Sequence, residues 1–451
     1  MIRALSTALV AIALCVPVAA SAAPMTLNDA IAYALNHSPT VAQQYAAARA
    51  AEHVLAQQRA NAFPTVNGEL QNSLGKSANY GGAYAAIGIP VQNIFSQNTA
   101  QIGTNYTLDT GGLAFLQLAS ARASAAQAEE TLVSTENQVA TSVTNAFYGV
   151  VQKQAIVGVD ASDLEYQNVL VSAAKAKEHA GMAAGVDVLR AQVNQTKSAS
   201  TLVGAHADVD DAREDLAQSI GASLDQSFVF PKVIAEPKLP SQSVSTLEDI
   251  ALNARPDVLA ARSGVAAAEF TRKGWGRELF PTVQIGAAFG NQLSTIQYNQ
   301  FGEPVAHPSG TPGFWTVQAT STLSLPLVDY GQRRTERVND DAQLVSAQRT
   351  LDQARTQVQI DVRQTYRAAQ TALAQLDLAQ DESRLGLESA RIAQLQYAHG
   401  LIALSDVIQA QQESVTAQSD LVAARVSYIN AIVKLRVSLG TYTAQSAVAD
   451  L

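Results

Sequence analysis

The sequence predicts a mixed α+β membrane protein with an internally duplicated chain, in which each copy joins one short helix and two β-strands to one long helical hairpin. Three observations lead to this prediction. Short segments recur in the same order about 217 residues apart, two long tracts contain no proline, and four segments alternate apolar with polar residues. A repeated order of this kind is typical of two copies of one structural unit.

The duplication is clearest in the tetrapeptide Phe-Pro-Thr-Val, which begins at Phe63 and again at Phe280. A further proline stands 25 residues before the proline of each copy. The other matching segments are 26–29 with 246–249, 50–52 with 267–269, 108–111 with 328–331, and 181–192 with 400–411. Six matches in order at a nearly constant offset predict a first repeat over 23–230 and a second over 231–451.

The tracts between Pro90 and Pro231 and after Pro326 contain no proline. Since an interior proline costs a helix about 3 kcal/mol, both tracts can form long helices. We predict helical hairpins over 113–220 and 332–439, whose first helix runs roughly 100 Å. Small or apolar residues with a narrow, coiled-coil-like spacing stand at positions 344, 347, 351, 354, 358, 362, 369, 373 and 376.

Four segments alternate apolar and polar residues and predict strands at about 64–76, 98–109, 281–292 and 314–325. This pattern is typical both of a half-buried soluble sheet and of a barrel with lipid outside and water inside. Gln, Thr, Asn and Gly at the polar positions favour the barrel, as do the long polar connections at 77–97 and 293–313. An aromatic interface belt is predicted to include Tyr80, Tyr84, Tyr298 and Trp315.

Four strands per chain cannot close a barrel, and an open sheet edge is not tolerated in lipid. Three chains would supply twelve strands and a matching tube of long helices. The sequence therefore predicts a homotrimer.

Composition excludes several classes of protein. The 451 residues include 39 acidic and 30 basic side chains, a balance that argues against nucleic acid as a partner. The single cysteine, Cys15, excludes a disulfide framework. Residues 1–22 read as a secretory signal peptide, with a basic start, an apolar run and a small-residue cleavage site. No later stretch reaches 18 uninterrupted apolar residues.

Three features together resemble the TolC-like outer-membrane efflux proteins over nearly the whole mature chain. They are the doubled segments that end in Phe-Pro, the strand exit Leu-Pro-Leu-Val-Asp-Tyr-Gly at 325–331, and the motif Tyr-Ala-His-Gly-Leu-Ile-Ala-Leu-Ser-Asp-Val at 397–407. The resemblance implies a homotrimeric 12-stranded β-barrel in outer-membrane lipid, continued by a long periplasmic α-helical barrel. It also implies docking to a periplasmic adaptor (a membrane fusion protein) and to an inner-membrane RND or ABC pump.

In that family the tips of the two helical hairpins close the periplasmic entrance. The resemblance places Asp187 and Asp406 in an acidic constriction, and it makes Tyr397 a gate residue that hydrogen-bonds toward Asp187. Ile402 stands where TolC has a basic gate residue, and Gln409 where it has a second acid. The alternative is that both aspartates only cap the N-termini of their helices, a role that aspartate favours.

The turns of the two tips contain glycines and exposed apolar residues. Gly181, Gly185 and Gly400 are predicted to permit the turn backbone. Family adaptors dock beside the tips, so Met182 and Leu401 are candidate adaptor contacts. Apolar packing within the tip is the alternative role for these two side chains.

The implied function is a passive exit duct of a tripartite efflux pump. A duct for type I protein secretion remains open, as does a periplasmic coiled-coil adaptor or scaffold, although the alternating strands disfavour the adaptor. No catalytic motif, cofactor motif or metal-ligand spacing appears, and the acidic run at 208–215 lacks the pattern of a calcium loop. We therefore expect no enzyme, no cofactor and no metal site. The sequence leaves the cargo open among drugs, metals and proteins.

Overall fold

The computed structural model describes residues 26–79, 91–221, 228–231, 236–277, 280–293, 314–325, 328 and 330–442. The predicted signal peptide lies outside these residues, as do Tyr80, Tyr84 and Tyr298 of the predicted aromatic belt. The first repeat contains α1 (Leu27–His37), α2 (Pro39–Ala60), β1 (Thr65–Asn79), β2 (Val91–Asp109), α3 (Leu113–His179) and α4 (Gly185–Ile220). The second contains α5 (Val244–Ala254), α6 (Pro256–Gly274), β3 (Thr282–Leu293), β4 (Phe314–Ser324), α7 (Gln332–Ala398) and α8 (Leu404–Ser438).

The two halves of the chain repeat the same order of elements. Helices α1 and α5 have 11 residues each, and α3 and α7 have 67 each. The returning helices α4 and α8 have 36 and 35 residues. The internal duplication and the long helical hairpins are confirmed, and the repeat boundary predicted at 230 and 231 falls in the connection between α4 and α5.

The start of each repeat differs from the prediction of one short helix. Each has two helices, and the second begins at Pro39 or Pro256. Ser38 and Arg255, which precede these prolines, adopt extended backbone. The ring of a proline disfavours a helical residue before it, whereas proline itself is well suited to the first position of a helix. Each proline therefore ends one helix and starts the next.

The four strands form one antiparallel sheet in the order β1-β2-β3-β4. At mid-sheet, Gly68 lies opposite Ile102, Ile102 opposite Phe289, and Phe289 opposite Val317. This register places apolar side chains on one face and polar side chains on the other. The first two strands are longer than predicted, because their backbone pairing continues through polar residues to the pair of Asn79 and Val91.

The long helices pack as two hairpins, α3 with α4 and α7 with α8, and α3 also packs against α8. The narrow seam predicted along α7 is confirmed, with Val358, Val362, Ala369 and Leu376 buried. No helix in the described part of the chain is both long enough and apolar enough to cross a membrane.

The short helices α1 and α5 pack against the middle of α3 and α7, where α4 and α8 approach their C-terminal ends. Ile31 of α1 joins a core with Phe147 of α3 and Ile429 of α8. Leu247 of α5 joins a second core with Val362 of α7 and Tyr428 of α8. Because α8 contributes to both cores, the two hairpins are held side by side.

Candidate functional site

The two hairpin tips have the same turn geometry. Gly181 and Gly400 have φ angles of 70° and 73°, which favour glycine over residues with a side chain. The amide of Met182 donates to the carbonyl of Lys177 at 2.8 Å, and the amide of Leu401 to that of Gln396 at 2.9 Å. This six-residue closure is the Schellman motif that ends many helices. The positive φ angles of the two turns therefore suit glycine at positions 181 and 400.

Gly185 does not have the predicted role in the turn. It is the first residue of α4 and lies outside the positive-φ region. A Cβ atom at this position would come within 3.0 Å of Oε1 of Glu178. The absence of a side chain therefore makes room for Glu178, and the backbone angles do not require glycine.

The two tip aspartates occupy equivalent positions in the first turns of α4 and α8. The N-cap residues are Ala184 and Ala403, so neither aspartate is itself the N-cap, but Asp406 still caps the start of α8 through a capping-box contact. The aspartates lie three residues later, where a negative charge interacts favourably with the helix dipole. The carboxylate of Asp406 also accepts from the amide of Ala403 at 3.4 Å.

Tyr397 lies inside the tip and is 7% exposed. It packs with Leu170 of α3, Val188 of α4 and Leu404 of α8, so all four long helices meet around it. Within the described part of the chain its hydroxyl has no hydrogen-bond partner, so the hydrogen bond expected toward Asp187 is not formed. Burial raises the pKa of Tyr397, and the nearby charge of Asp187 raises that pKa further.

A lysine that the sequence analysis did not select connects the two hairpins at this point. Nζ of Lys177 lies 3.8 Å from the centre of the Tyr397 ring, and it also donates to the backbone carbonyl of Tyr397. This cation–π contact joins the end of α3 to the end of α7. Ile402 packs against the apolar tip cluster. The only signal for Lys177 in the sequence is its position one turn before Gly181.

A buried polar seam runs between α3 and α8 above the tip. Asp163 accepts hydrogen bonds from Gln411 at 2.9 Å and from Gln167 at 3.3 Å. Asp160 is 7% exposed, and burial raises its pKa, with a further contribution from the charge of Asp163. Burial and the same charge raise the pKa of Tyr166 to about 12. A charged and polar contact therefore separates the apolar tip from the apolar cores higher up.

The apolar side chains of the turns point away from the protein. Met182 is 74% exposed and Leu401 is 73% exposed. In a Schellman motif the residue at this position often packs back onto its own helix. Here neither does, so the predicted alternative of apolar packing within the tip is not supported by their exposure.

In the part of the chain that the structure describes, no group of three or more His, Cys, Asp or Glu side chains is placed to hold a metal ion. The tips combine Schellman turns, acidic first turns and exposed apolar turn residues.

Comparison with known proteins identifies the family to which this chain belongs. The family described as outer membrane efflux protein matches residues 30–222 and again 247–441. The chain belongs to the outer membrane efflux protein family. It is 24% identical over 413 residues to the outer membrane efflux protein BepC of Brucella suis biovar 1, covering 90% of this chain and 82% of BepC.

Solved structures share the fold of this efflux protein. The outer-membrane channel OprN matches with a TM-score of 0.74 and 21% identity, covering 92% of this chain and 90% of OprN. The outer membrane protein VceC from Vibrio cholerae matches with a TM-score of 0.73 and 20% identity, covering 92% and 96%.

These matches confirm the predicted family, fold class and outer-membrane location. The predicted function, a channel for efflux, is confirmed as well, and the family is one of transport proteins.

Proposed function

We propose that three copies of this efflux protein close edge to edge into one continuous duct. The observation that carries the proposal is the pair of open edges on the sheet. Among the described strands, β1 pairs only with β2, and β4 pairs only with β3. Since lipid offers no partner for backbone amides and carbonyls, β4 of one copy would pair with β1 of the next. Three copies give a barrel of twelve strands.

The long helices support the same arrangement. Helices α4 and α7 are the outer members of the four-helix layer, and each carries exposed apolar residues at intervals typical of a helix seam. On α4 these are Val186, Leu189, Val193 and Val203. On α7 they are Leu378, Leu385, Ile392 and Leu395. Packing of α4 against α7 of the next copy would cover both rows and close a helical tube below the barrel.

The resulting duct would conduct passively. Its barrel would present the apolar face of the sheet to lipid and the polar face to water. Transport energy would come from an inner-membrane RND or ABC pump through a periplasmic adaptor, for which exposed Met182 and Leu401 are candidate contacts. The chain itself would need neither catalysis nor a cofactor.

A pair of engineered cysteines tests the closure. Val193 and Ile392 lie at a similar height, because their neighbours Ala191 of α4 and Ala393 of α7 both belong to the apolar cluster of the tip. We expect the double variant Val193→Cys/Ile392→Cys to form a covalent trimer under mild oxidation. Each single variant is the matched control and should stay uncrosslinked. A covalent dimer as the end product, or no crosslink in a folded protein, would contradict the trimer.

At the tip, Asp187, Asp406 and Tyr397 would form the entrance constriction. Six carboxylates per trimer would bind cations and repel anions. We expect Asp187→Asn/Asp406→Asn to abolish the block of single-channel current by a trivalent cation such as hexaamminecobalt. Asp381→Asn is the matched control, because Asp381 is exposed on α7 and pairs with Arg384. An unchanged block in the double variant would disprove the constriction.

A further inference from the structure

A crevice lies where α2, α3, α6 and α7 come together, close to the sheet. Its volume is about 570 Å³, within the range of sites for drug-sized ligands. Leu113, Leu116, Phe270 and Trp275 are among its lining residues, and two carboxylates, Glu336 and Asp340, lie among them. The tip site and the buried polar seam contribute no residue to it.

The two carboxylates are not neutralised by the arginines nearby. Arg272 and Arg337 both pair with Asp341, at 2.5 Å and 3.7 Å. Arg337 also lies over the Trp275 ring, 4.5 Å from its centre. In the described part of the chain Asp340 has no ion pair, and Glu336 accepts only from the amide of Gln332, at 3.2 Å. Burial raises the pKa of Asp340, and the charges of Glu336 and Asp341 add to the rise.

We propose that this crevice binds lipophilic organic cations. A positive charge would meet the carboxylates of Asp340 and Glu336 in a half-buried site, where an ion pair is stronger than in bulk water. An aromatic or aliphatic body would cover the apolar wall that includes Leu113 and Phe270. A small metal ion is a poorer match, because hard cations need six or more oxygen ligands.

This inference goes beyond the proposed duct, since a passive conduit requires no site that retains cargo. It gives the chain itself a preference for cationic amphiphiles. The site would bind ligands that carry both a positive charge for the carboxylates and an apolar surface for the crevice wall. It would discriminate against anions of the same shape.

Two ions of nearly the same shape and opposite charge test the proposal. Tetraphenylphosphonium is the cation and tetraphenylborate the anion. The chain has two tryptophans, so the Trp315→Phe variant leaves Trp275 in the crevice as the fluorescent reporter. We expect the phosphonium ion to quench this fluorescence saturably and the borate ion to give no saturable quenching. Equal quenching by both ions would overturn the proposal, as would no quenching by the cation.

A charge variant in the same background locates the binding. We expect Glu336→Gln/Asp340→Asn to weaken phosphonium binding at least about tenfold, which corresponds to about 1.4 kcal/mol. Glu382→Gln, an exposed acid further along α7, is the matched control and should leave the affinity unchanged. Unchanged affinity in the double variant would refute the site. If that variant does not fold, the comparison of the phosphonium and borate ions on the Trp315→Phe protein still tests the proposal.

A neighbouring copy that filled the crevice in the trimer would abolish the quenching, which also counts against the proposal. The cysteine crosslink between α4 and α7 reports closure of the trimer without reference to the crevice. Failure of one test is therefore distinguishable from failure of the other.

Discussion

At the scale of single residues, the contact between Lys177 and Tyr397 joins the two hairpins at the tip. The ammonium group contacts the ring face and the backbone carbonyl of one residue across the gap between α3 and α7. A partly buried cation–π contact contributes about 0.5 to 2 kcal/mol.

Replacing Lys177 by Met should loosen the closed tip. A loss of about 1 to 2 kcal/mol changes an equilibrium by roughly 5- to 30-fold, so we expect the open fraction of channels in planar bilayers to rise by that factor. Lys177→Arg should keep the closed state, because the guanidinium can also lie on the ring. Lys175→Met, which removes an exposed lysine of the same helix, is the control. An open fraction of Lys177→Met channels equal to that of the control would show that the contact does not keep the hairpin tips together.

At the scale of elements, the sheet depends on close approach between β2 and β3. A Cβ atom at Gly290 would lie 2.7 Å from Cβ of Gln101 and 2.9 Å from the carbonyl of Ala100. The second of these is backbone and cannot turn aside. Gly103 offers a contrast in the neighbouring strand, because a Cβ atom there would first meet the carbonyl of Ala287 at 3.6 Å.

We therefore expect Gly290→Ala to destabilise the sheet by about 1 to 3 kcal/mol, the usual range for overpacking. Gly103→Ala should change little. The measurement is the temperature at which the protein loses its heat-modifiable migration on a gel. Equal melting of the two variants would contradict the close approach of the strands.

The sequence predicted elements well where one pattern determines them. The seam at Val358 and Val362 follows helical spacing, and the pairing of Ile102 with Phe289 follows strand alternation. The prediction of elements failed where one residue indicated both a helix start and a helix end. Pro39 indicated a helix start and a helix end at once, and only the fold separates these into α1 and α2. The contact of Lys177 joins residues 220 positions apart, which no local spacing can reveal.

At the scale of the whole molecule, the polar face of the sheet becomes the lumen of the proposed barrel. Glu69 lies on this face, and its carboxylate accepts from the amide of Gln101 at 2.7 Å. Closure of three copies would place three such carboxylates in one narrow aqueous passage. Fixed negative charges of this kind attract cations from solution.

We expect Glu69→Gln to lower the preference of the channel for potassium over chloride. The measurement is the reversal potential across a bilayer under a salt gradient, which should move toward zero. Glu52→Gln, on an exposed helix outside the sheet, is the control. A reversal potential equal to that of the control would show that this face of the sheet does not line the passage.

The buried seam between α3 and α8 fixes the alignment of the two hairpins. Helices packed through small apolar side chains can slide along one another by a whole turn at little cost, because one layer of such a seam resembles the next. A one-turn slide would break the hydrogen bond of Gln411 to Asp163 and set Gln411 against different side chains, and buried polar pairs are known to select a single register in this way. The Gly181 and Gly400 turns then stay at matching heights in every copy. The seam thus sets the relative length of the two hairpins at their periplasmic end.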